Sequence, residues 1–453
     1  MSLRQTVRLS AVFTGLFIVK SSFASGFQIN EMSPTIQATA LADAATASGD
    51  ISGMAYNPAT LATIKSTDLY LGGTLLVPHV SYNNAQASLT ALPTDIIFPV
   101  PAKTVPINGI NSEGNITPSA FVPDAYVGTS LFPKLFNNNL KIGLGIDVPF
   151  GLETNYNDDW VGQYNALESK IDVINVFPTI AYQITPKLSA GASLNFENIS
   201  ATLSNNYIEE SNTLLGPIVG ATGNSSLSGS AWSVGYTLGL MYQLTSTTTV
   251  GADYHSAVNE SINGTATITS AGGLEDEAGT YNGHVDLDLP AIANFGVSQK
   301  MGDKLTVMAG AEWTQWDTVQ SINANLANFD GQSSVLDSNP LNYSNSWLYS
   351  LGAKYQLLSK LSVSGGWAYD ATPTNSTYRD ARIPDTNRQW LTLGCEYAPT
   401  KALSVFATYE HIFMNNQNIN LTQQPMSDLS PVHLSANYNG YANIIAGGLN
   451  YTF

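Results

Sequence analysis

Apolar and polar residues alternate along most of this chain, in runs that follow short polar breaks. In the run that begins at Leu361, the odd positions through Tyr369 are mostly apolar, and the even positions are Ser, Gly or Ala. The run from Leu188 to Phe196 repeats this pattern, with Ser, Gly and Asn on the opposite face. An alternation with a period of two residues is typical of a β-strand with one apolar face.

The polar breaks differ in length in a regular way. Short breaks lead into similar sequences that begin at Asn139, Pro186, Asp303, Ser359 and Lys401. Long Gly/Asn/Ser-rich connections lie between them, at 83–117, 207–228, 325–340, 371–385 and 416–431. Short turns that alternate with long loops are typical of β-barrels in bacterial outer membranes.

The alternating runs give strand centres near 74, 126, 144, 175, 195, 236, 255, 290, 311, 348, 365, 392, 409 and 446. Barrels made of one bacterial chain have an even number of strands. The sequence therefore predicts an all-β fold, a transmembrane antiparallel β-barrel of about 14 strands. The chain ends on an alternating strand whose last residue is the aromatic Phe453.

The first residues predict export. Arg4 and Arg8 precede an apolar run from Leu9 to Val19, and Ala24 ends a small-residue cleavage site. We predict a signal peptide over residues 1–24, because the apolar run is too short to span a bilayer.

The next segment lacks the alternation. It is rich in Ala and small polar residues, and we predict a short helix from Ala38 to Ala47. Asn57 and Pro58 predict the start of another helix, since Asn is a good N-cap and Pro suits the first helical position. Pieces of this size cannot bury a core of their own and need a surrounding structure.

Composition supports the barrel. Only 11% of residues are charged, while hydrophobic residues reach 43% and the mean hydropathy is −0.01. An outside that faces lipid, combined with a polar or small-residue inside, fits these values. The net charge of −17 argues against nucleic acid as a partner. Removal of the presequence, with three cations and no acid, makes the net charge −20.

Signals of metal or enzyme chemistry are weak. The single cysteine, Cys395, excludes a disulfide within the chain and falls on the lipid-facing register. The five histidines are scattered, and the acidic groups at 158–159 and 275–277 lack the spacing of a calcium loop. No nucleophile elbow or nucleotide-binding fingerprint occurs, so we predict no metal, no cofactor and no enzyme.

Three motifs resemble the outer-membrane long-chain fatty acid transporter family (FadL/TodX-like hydrophobic compound channels). The first comprises the start near Phe27 and the later Asn57, Pro58 and Ala59. The second and third run through 148–164 and 382–391. The final residues, ending in Phe453, resemble the barrel-assembly signature, which implies contact with the assembly machinery.

This resemblance implies an N-terminal hatch (plug) over 25–66 inside a barrel over 67–453. It also implies passive uptake of hydrophobic molecules through a side opening where the third strand kinks inward. The expected surroundings are the lipid and lipopolysaccharide of the outer membrane of a Gram-negative cell. The least matched loops, 83–117 and 207–228, leave the substrate open.

The inward faces of the strands carry apolar side chains among Ser, Thr and Gly. We predict an apolar lumen lined by Met308, Leu348, Trp390, Phe406 and Ile444. These side chains could equally pack against the hatch.

Arg388 shares the inward register of Trp390 and is a candidate contact for a carboxylate head group, because a guanidinium binds carboxylates in two-point geometry. A structural pairing of Arg388 with Asp385 is an equal alternative.

The third strand predicts the gate. Its inward positions include Gly143 and Gly145, and Pro149 and Gly151 follow. Pro has no N–H for the ladder and Gly tolerates a bend, so pairing should fail locally. The alternative is an ordinary strand end at a proline.

Three functions follow as hypotheses. We favour a channel for long-chain fatty acids or similar hydrophobic molecules. The second is uptake of aromatic hydrocarbons by the same architecture. The third is an outer-membrane lipase, whose Ser and His would converge from separate strands.

Overall fold

The computed structural model describes residues 26–91, 103–107, 111–213, 216–269, 278–329, 332–423 and 431–453. The predicted signal peptide lies outside these residues and stays a prediction. Most of the described chain is β-structure, in the segments β1 Asp68–Ala91, β2 Lys103–Ile107, β3 Gly114–Asn115, β4 Ala120–Ser130, β5 Leu140–Asn155, β6 Glu168–Thr185, β7 Leu188–Thr213, β8 Gly216–Gln243, β9 Thr248–His255, β10 Val258–Thr269, β11 Gly279–Leu289, β12 Ile292–Met301, β13 Leu305–Thr314, β14 Ser321–Phe329, β15 Gln332–Pro340, β16 Ser346–Leu358, β17 Leu361–Asp370, β18 Arg388–Tyr397, β19 Leu403–Met414, β20 Gln417–Gln423 and β21 Val432–Thr452.

The segments form one closed antiparallel sheet. β1 pairs with β21 from Asp68 opposite Thr452 to Leu89 opposite Val432, which joins the first strand to the last. Fourteen strands make up the barrel, because several crossings consist of two consecutive segments. The predicted 14-stranded antiparallel β-barrel is confirmed.

The two faces of the strands differ in character. Along β18, Arg388 and Trp390 are buried, whereas Leu391, Leu393 and Cys395 are exposed on the other face. An exposed row of large apolar side chains is stable only against lipid, so this face is the outside of the barrel.

Two predicted strand centres need correction. Position 255 is the last residue of β9, and position 290 lies in the break between β11 and β12. The break contains Pro290, which has no N–H to donate to a ladder. Each of these crossings therefore consists of two segments instead of one continuous strand.

Four of the five predicted loops contain strand structure. β7 covers 207–213 and β8 covers 216–228, and β14 and β15 cover most of 325–340. β1 continues into 83–117 and β20 lies within 416–431, whereas 371–385 has no strand. The polar composition of these stretches is compatible with strands because both faces of such hairpins can be polar.

Residues 26–64, called here the N-terminal segment, contain only short helices. These are α1 Pro34–Gln37 and the 3-10 helices Ile51–Ala55 and Pro58–Thr63. Further short helices are α2 Pro133–Phe136 and the 3-10 helix Trp316–Thr318. No helix within the described residues is long and apolar enough to cross a membrane.

The predicted helix from Ala38 to Ala47 is wrong. Ala40 and Leu41 have φ angles of 52° and 66°, in the left-handed region that interrupts an α-helix. The helix start at Asn57 is correct, because the Asn57 side chain accepts a hydrogen bond from the backbone N–H of Ala59. This helix is of the 3-10 type.

Candidate functional site

The third barrel strand, β5, separates from the second, β4, within the barrel wall. Ala125 opposite Ile146 is the last pair between them in the described residues. β4 nevertheless continues to Ala120, and that stretch pairs with β1 on its other side. The wall therefore has a gap in its hydrogen-bonding ladder beside the second half of β5.

Beyond the gap, β5 bonds to the N-terminal segment. The Ile29 N–H donates to the Pro149 carbonyl at 2.8 Å, and the Gly151 N–H donates to the Phe27 carbonyl at 2.8 Å. The pairing of β5 with β6 also shifts register between Asp147 and Phe150. The predicted kink positions Pro149 and Gly151 thus lie where β5 bonds to the N-terminal segment.

The two predicted inward glycines have different neighbours. A Cβ on Gly143 would lie 2.9 Å from the sulfur of Met54 and 3.0 Å from a methyl of Leu61, both in the N-terminal segment. A Cβ on Gly145 would overlap the ring of Phe177, the residue opposite it on β6. Gly143 makes room for the N-terminal segment, and Gly145 makes room for an aromatic side chain of the wall.

Asn57 joins the N-terminal segment to strand β8 of the wall. Its Nδ2 donates to the carbonyl of Ala45 at 2.8 Å and to that of Leu240, on β8, at 3.1 Å. Pro58 and Ala59 are buried, and their backbone occupies the space where Gly191 would carry a Cβ. The predicted hatch residues therefore contact two strands of the wall.

The five predicted lumen residues are all buried, but they lie in two places. Leu348, Trp390, Phe406 and Ile444 belong to one apolar cluster with Ile29, Ile36 and other residues of the N-terminal segment. Met308 lines a cavity of about 610 Å³ at the short-turn end of the barrel, with Asp43 and Lys354. The first four side chains thus pack around the N-terminal segment.

A second apolar cluster, which the sequence analysis missed, lies toward the long loops. Phe27 contacts Trp316 edge-on, with ring centroids 4.8 Å apart, and Phe150 with centroids 5.9 Å apart. Ala381 and Ile383 from the strand-free loop join the same cluster. In the sequence, these apolar residues within an otherwise polar loop were the signal that could have indicated the cluster.

Arg388 lies in a buried ion-pair group. Its side chain is 1% exposed, pairs with Asp385, and lies 3.9 Å from a carboxylate oxygen of Asp370. Asp385 also accepts hydrogen bonds from the Gly26 N–H, at 3.1 Å, and from the hydroxyl of Thr372. Of the two roles considered for Arg388, contact with a ligand head group or pairing with Asp385, this geometry matches the pairing.

The candidate metal ligands of the sequence lie apart in the described part of the chain. No group of three or more His, Cys, Asp or Glu residues there could hold a metal ion. Asp159 accepts a hydrogen bond from the side chain of Asn111. The acidic residues near 276 lie outside the described residues.

A closed 14-stranded barrel with an apolar outside, and with a buried N-terminal segment bonded to its third strand, defines a transmembrane channel protein of the bacterial outer membrane. The model of the family described as "Outer membrane protein transport protein (OMPP1/FadL/TodX)" matches residues 15–453, and the chain belongs to this family. The family consists of outer-membrane transporters of hydrophobic compounds, not of enzymes.

Relatives and solved structures extend this finding. The chain is 28% identical to "Outer membrane protein P1" of Haemophilus influenzae, over 95% of each chain. It is 22% identical to the "Long-chain fatty acid transport protein" of Salmonella typhi, over 100% of each. The fold is similar to that of a Pseudomonas aeruginosa FadL homologue, with a TM-score of 0.84 at 21% identity, over 94% of this chain and 100% of that one. The Ralstonia pickettii toluene transporter TbuX gives 0.64 at 20% identity, over 95% and 99%.

Proposed function

We propose that this protein is a channel for passive uptake of long-chain fatty acids or similar hydrophobic molecules. The ligand enters from the long-loop side, passes apolar side chains of the lumen, and leaves sideways through the gap beside β5. The observation that carries this proposal is the loss of pairing between β4 and β5 after Ala125 and Ile146. In a closed barrel such a gap is the place where an apolar molecule can reach lipid without crossing the polar short-turn end.

The N-terminal segment acts in this proposal as the hatch that closes the direct path. Its residues are almost all buried, and it bonds to β5 and, through Asn57, to β8. A ligand that leaves sideways does not require this segment to move out of the barrel. The predicted domain division at residues 25–66 and 67–453 stays part of the proposal.

The apolar cluster around Phe27, Phe150 and Trp316 supports an apolar path above the gap. It joins the N-terminal segment, the kinked strand and a short helix of the wall in one group of rings. A water-filled porin has a polar interior instead. An aromatic or alkyl ligand would meet similar surfaces at this point.

The test is permeation in vesicles that contain the purified protein. Palmitate, hexadecane and toluene should equilibrate faster than in vesicles without protein, whereas a hydrophilic disaccharide should not. Toluene as the only accelerated compound would identify the aromatic alternative. Equal acceleration of the disaccharide would show a water-filled pore and refute the proposal.

A further inference from the structure

The polar cavity at the short-turn end of the barrel lies between the N-terminal segment and the wall. We call it the short-turn cavity. Its volume of about 610 Å³ falls in the range of small-molecule binding sites. It is lined by the N-terminal segment, by the turns that precede β5, β7 and β9, and by strands β12, β13 and β16. The gap beside β5 begins beyond Ile146, which does not line this cavity.

Lysine dominates the charge of the short-turn cavity. Five lysines and two aspartates are among the described residues that line it, and no Arg or Glu is. The lining therefore has an excess of three positive charges, in a chain whose net charge is −17. The charged lining residues are Lys65, Lys141, Lys187, Lys300, Lys354, Asp43 and Asp50.

The two aspartates are held within the N-terminal segment. Asp43 accepts a hydrogen bond from the hydroxyl of Thr39 at 2.6 Å, and Asp50 accepts one from the hydroxyl of Thr35 at 2.6 Å. Neither aspartate forms an ion pair with a lysine among the described residues. Their carboxylates thus brace the segment and leave the lysines of the cavity unpaired.

The lysines divide into two groups. Lys354 pairs with Glu396 at 2.6 Å, and the Lys141 ammonium donates to the hydroxyl of Ser130 at 2.7 Å. The pair of Lys354 with Glu396 is neutral, and the remaining lysines still exceed the aspartates in number. Three lysines are exposed and have no ion pair or side-chain hydrogen bond within the described part of the chain, namely Lys65, Lys187 and Lys300.

Main-chain hydrogen bonds hold Lys187 and Lys300 on either side of the turn between β8 and β9. The Gln243 N–H donates to the Lys187 carbonyl at 2.7 Å, and the Lys300 N–H donates to the Thr247 carbonyl at 2.8 Å. Strands β7, β8, β9 and β12 are consecutive in the sheet. The two lysine backbones are therefore about 14 Å apart, at three strand spacings of about 4.8 Å. A ligand with more than one anionic group can reach both ammonium groups.

The N-terminal segment contributes an unpartnered hydroxyl. Thr46 lines the cavity and is 3% exposed, and its hydroxyl oxygen has no hydrogen-bond partner among the described residues. Buried polar groups are normally hydrogen-bonded, so this hydroxyl indicates that a partner is required here. Lys65 follows the last helix of the same segment. A ligand in the cavity would thus connect the segment to the turns of the wall.

We propose that the short-turn cavity binds a small soluble molecule with two or more phosphate groups, and that this ligand fastens the N-terminal segment to the wall. Lysine binds phosphate as a compact point charge, whereas two-point recognition of carboxylates favours arginine. The Thr46 hydroxyl supplies an additional donor to a phosphate oxygen. The site is separate from the proposed uptake route, and the inference goes beyond that function and does not depend on it.

The experiment is calorimetric titration of the detergent-solubilised full-length protein with tripolyphosphate, inorganic phosphate and citrate. It is done at about pH 7 and constant ionic strength, because salt screens exposed charges. We expect tripolyphosphate to bind more tightly than citrate and at least roughly tenfold more tightly than inorganic phosphate, since it engages several lysines at once. Hydrogen exchange of residues 43–48 should slow when tripolyphosphate is bound.

Two variants locate the site. Thr46→Val keeps the shape of the side chain and removes the hydroxyl, so it should weaken tripolyphosphate binding roughly fivefold. Exposed ion pairs are individually weak, so the three free lysines are changed together, and we expect a loss of at least roughly tenfold. This triple variant combines Lys65→Gln, Lys187→Gln and Lys300→Gln.

The matched control removes three exposed lysines at the same end of the barrel that do not line the cavity. General attraction between a polyanion and the short-turn end falls by a similar amount in both triple variants. The control should bind tripolyphosphate within roughly twofold of the wild type. Heat-modifiable migration verifies that each variant is folded. The control combines Lys134→Gln, Lys360→Gln and Lys401→Gln.

The outcomes decide each part of the proposal. An equal loss of binding in the two triple variants would assign the effect to surface charge and overturn the cavity. Citrate or inorganic phosphate that binds as tightly as tripolyphosphate would overturn the preference for a ligand with several phosphates. Unchanged binding by Thr46→Val, together with unchanged exchange of residues 43–48, would overturn the link to the N-terminal segment.

Discussion

At the scale of single residues, the Arg388 group links the strand-free loop to the first described residue. The guanidinium pairs with Asp385, which in turn accepts a hydrogen bond from the Gly26 N–H. The pairing connects the loop, strand β18 and the start of the N-terminal segment in one buried network. A charge held in this way positions the loop and the N-terminal segment more readily than it binds a ligand.

We therefore predict that Arg388→Ala destabilises the protein. Removal of one partner from a buried pair leaves the other charge uncompensated, at a cost of about 3–5 kcal/mol. Unfolding in urea, followed by the loss of heat-modifiable migration, measures the change. Binding of palmitate and hexadecane should fall equally in the folded fraction. A selective loss of palmitate binding would return Arg388 to the role of head-group contact.

Gly145 is the second residue where a single substitution is informative. Because a Cβ there would overlap the Phe177 ring, Gly145→Val must displace that ring, which lines a small cavity together with Pro149 and Phe150. We predict loss of palmitate uptake by a correctly assembled barrel. The additional change Phe177→Ala should restore uptake, since it removes the displaced ring.

The control for this prediction is Gly365→Val. A Cβ on Gly365 would lie 3.4 Å from its nearest neighbour, the Thr392 carbonyl, so the barrel accepts it without rearrangement. Uptake should match that of the wild type. Normal uptake by assembled Gly145→Val would separate the kink from the transport route.

At the scale of elements, the strands could be predicted far better than the N-terminal segment. Lipid requires an unbroken apolar outer face, so the alternation in β17 and β18 is strong and local. The N-terminal segment is shaped by the wall around it. The turn at Ala40, for example, fills the space beside Gly366, whose Cβ would overlap the Thr39 backbone. Contacts between residues this distant in sequence leave no periodic pattern.

The candidate site also has features that the local sequence predicts and features that depend on distant contacts. Pro149 and Gly151 predict a local interruption of the ladder because their backbone chemistry is local, and the register shift of β5 against β6 lies between Asp147 and Phe150. The small cavity lined by Phe150 and Phe177 combines side chains from several strands and from the N-terminal segment, so no single stretch of sequence indicates it. The sequence allowed two roles for Arg388, contact with a ligand head group or pairing with Asp385. Only the structure could distinguish between them.

The role of Asn57 as a helix cap and as a contact to the wall can be tested by substitution. Asn57→Ala removes a cap worth about 1 kcal/mol, the hydrogen bond to the Ala45 carbonyl within the N-terminal segment and the hydrogen bond to the Leu240 carbonyl of the wall. Asn57→Asp keeps the acceptor for the Ala59 N–H but cannot donate to the two carbonyls. We predict faster hydrogen exchange of the N-terminal segment in both variants, and the larger increase in Asn57→Asp, because a carboxylate oxygen would then face the two carbonyl oxygens. Wild-type exchange in Asn57→Asp would limit the role of Asn57 to the cap.

At the scale of the whole molecule, the barrel closes through the pairing of β1 with β21, and the chain end extends it. The Phe453 N–H donates to the Thr67 carbonyl at 2.9 Å, and the Phe453 ring is 72% exposed. An exposed terminal aromatic is compatible with the predicted contact with the assembly machinery, which stays a prediction. Because the barrel is closed, the proposed uptake has two routes out of the lumen to consider. One passes the N-terminal segment, and the other passes through the gap beside β5.

These exits can be distinguished by fixing the N-terminal segment to the wall. A Cβ on Gly296 would lie 3.2 Å from the Cβ of Ala45, slightly below the separation of about 3.5–4.5 Å in disulfides. Ala45→Cys with Gly296→Cys, in a Cys395→Ala background, should therefore form a disulfide after a small adjustment. The site is distant in sequence from residues 26–30, which bond to β5 and remain free to move.

We predict that the oxidised double-cysteine protein takes up palmitate at the rate of its reduced form, because a ligand that leaves sideways does not displace the tethered part. Uptake by vesicles before and after reduction measures this, with each single-cysteine variant as the control for substitution effects. Migration on a non-reducing gel after a protease cut between the two positions quantifies the cross-link. Uptake that stops on oxidation and returns on reduction would assign the route to the centre of the barrel, and the gap beside β5 would then be a structural feature of the wall.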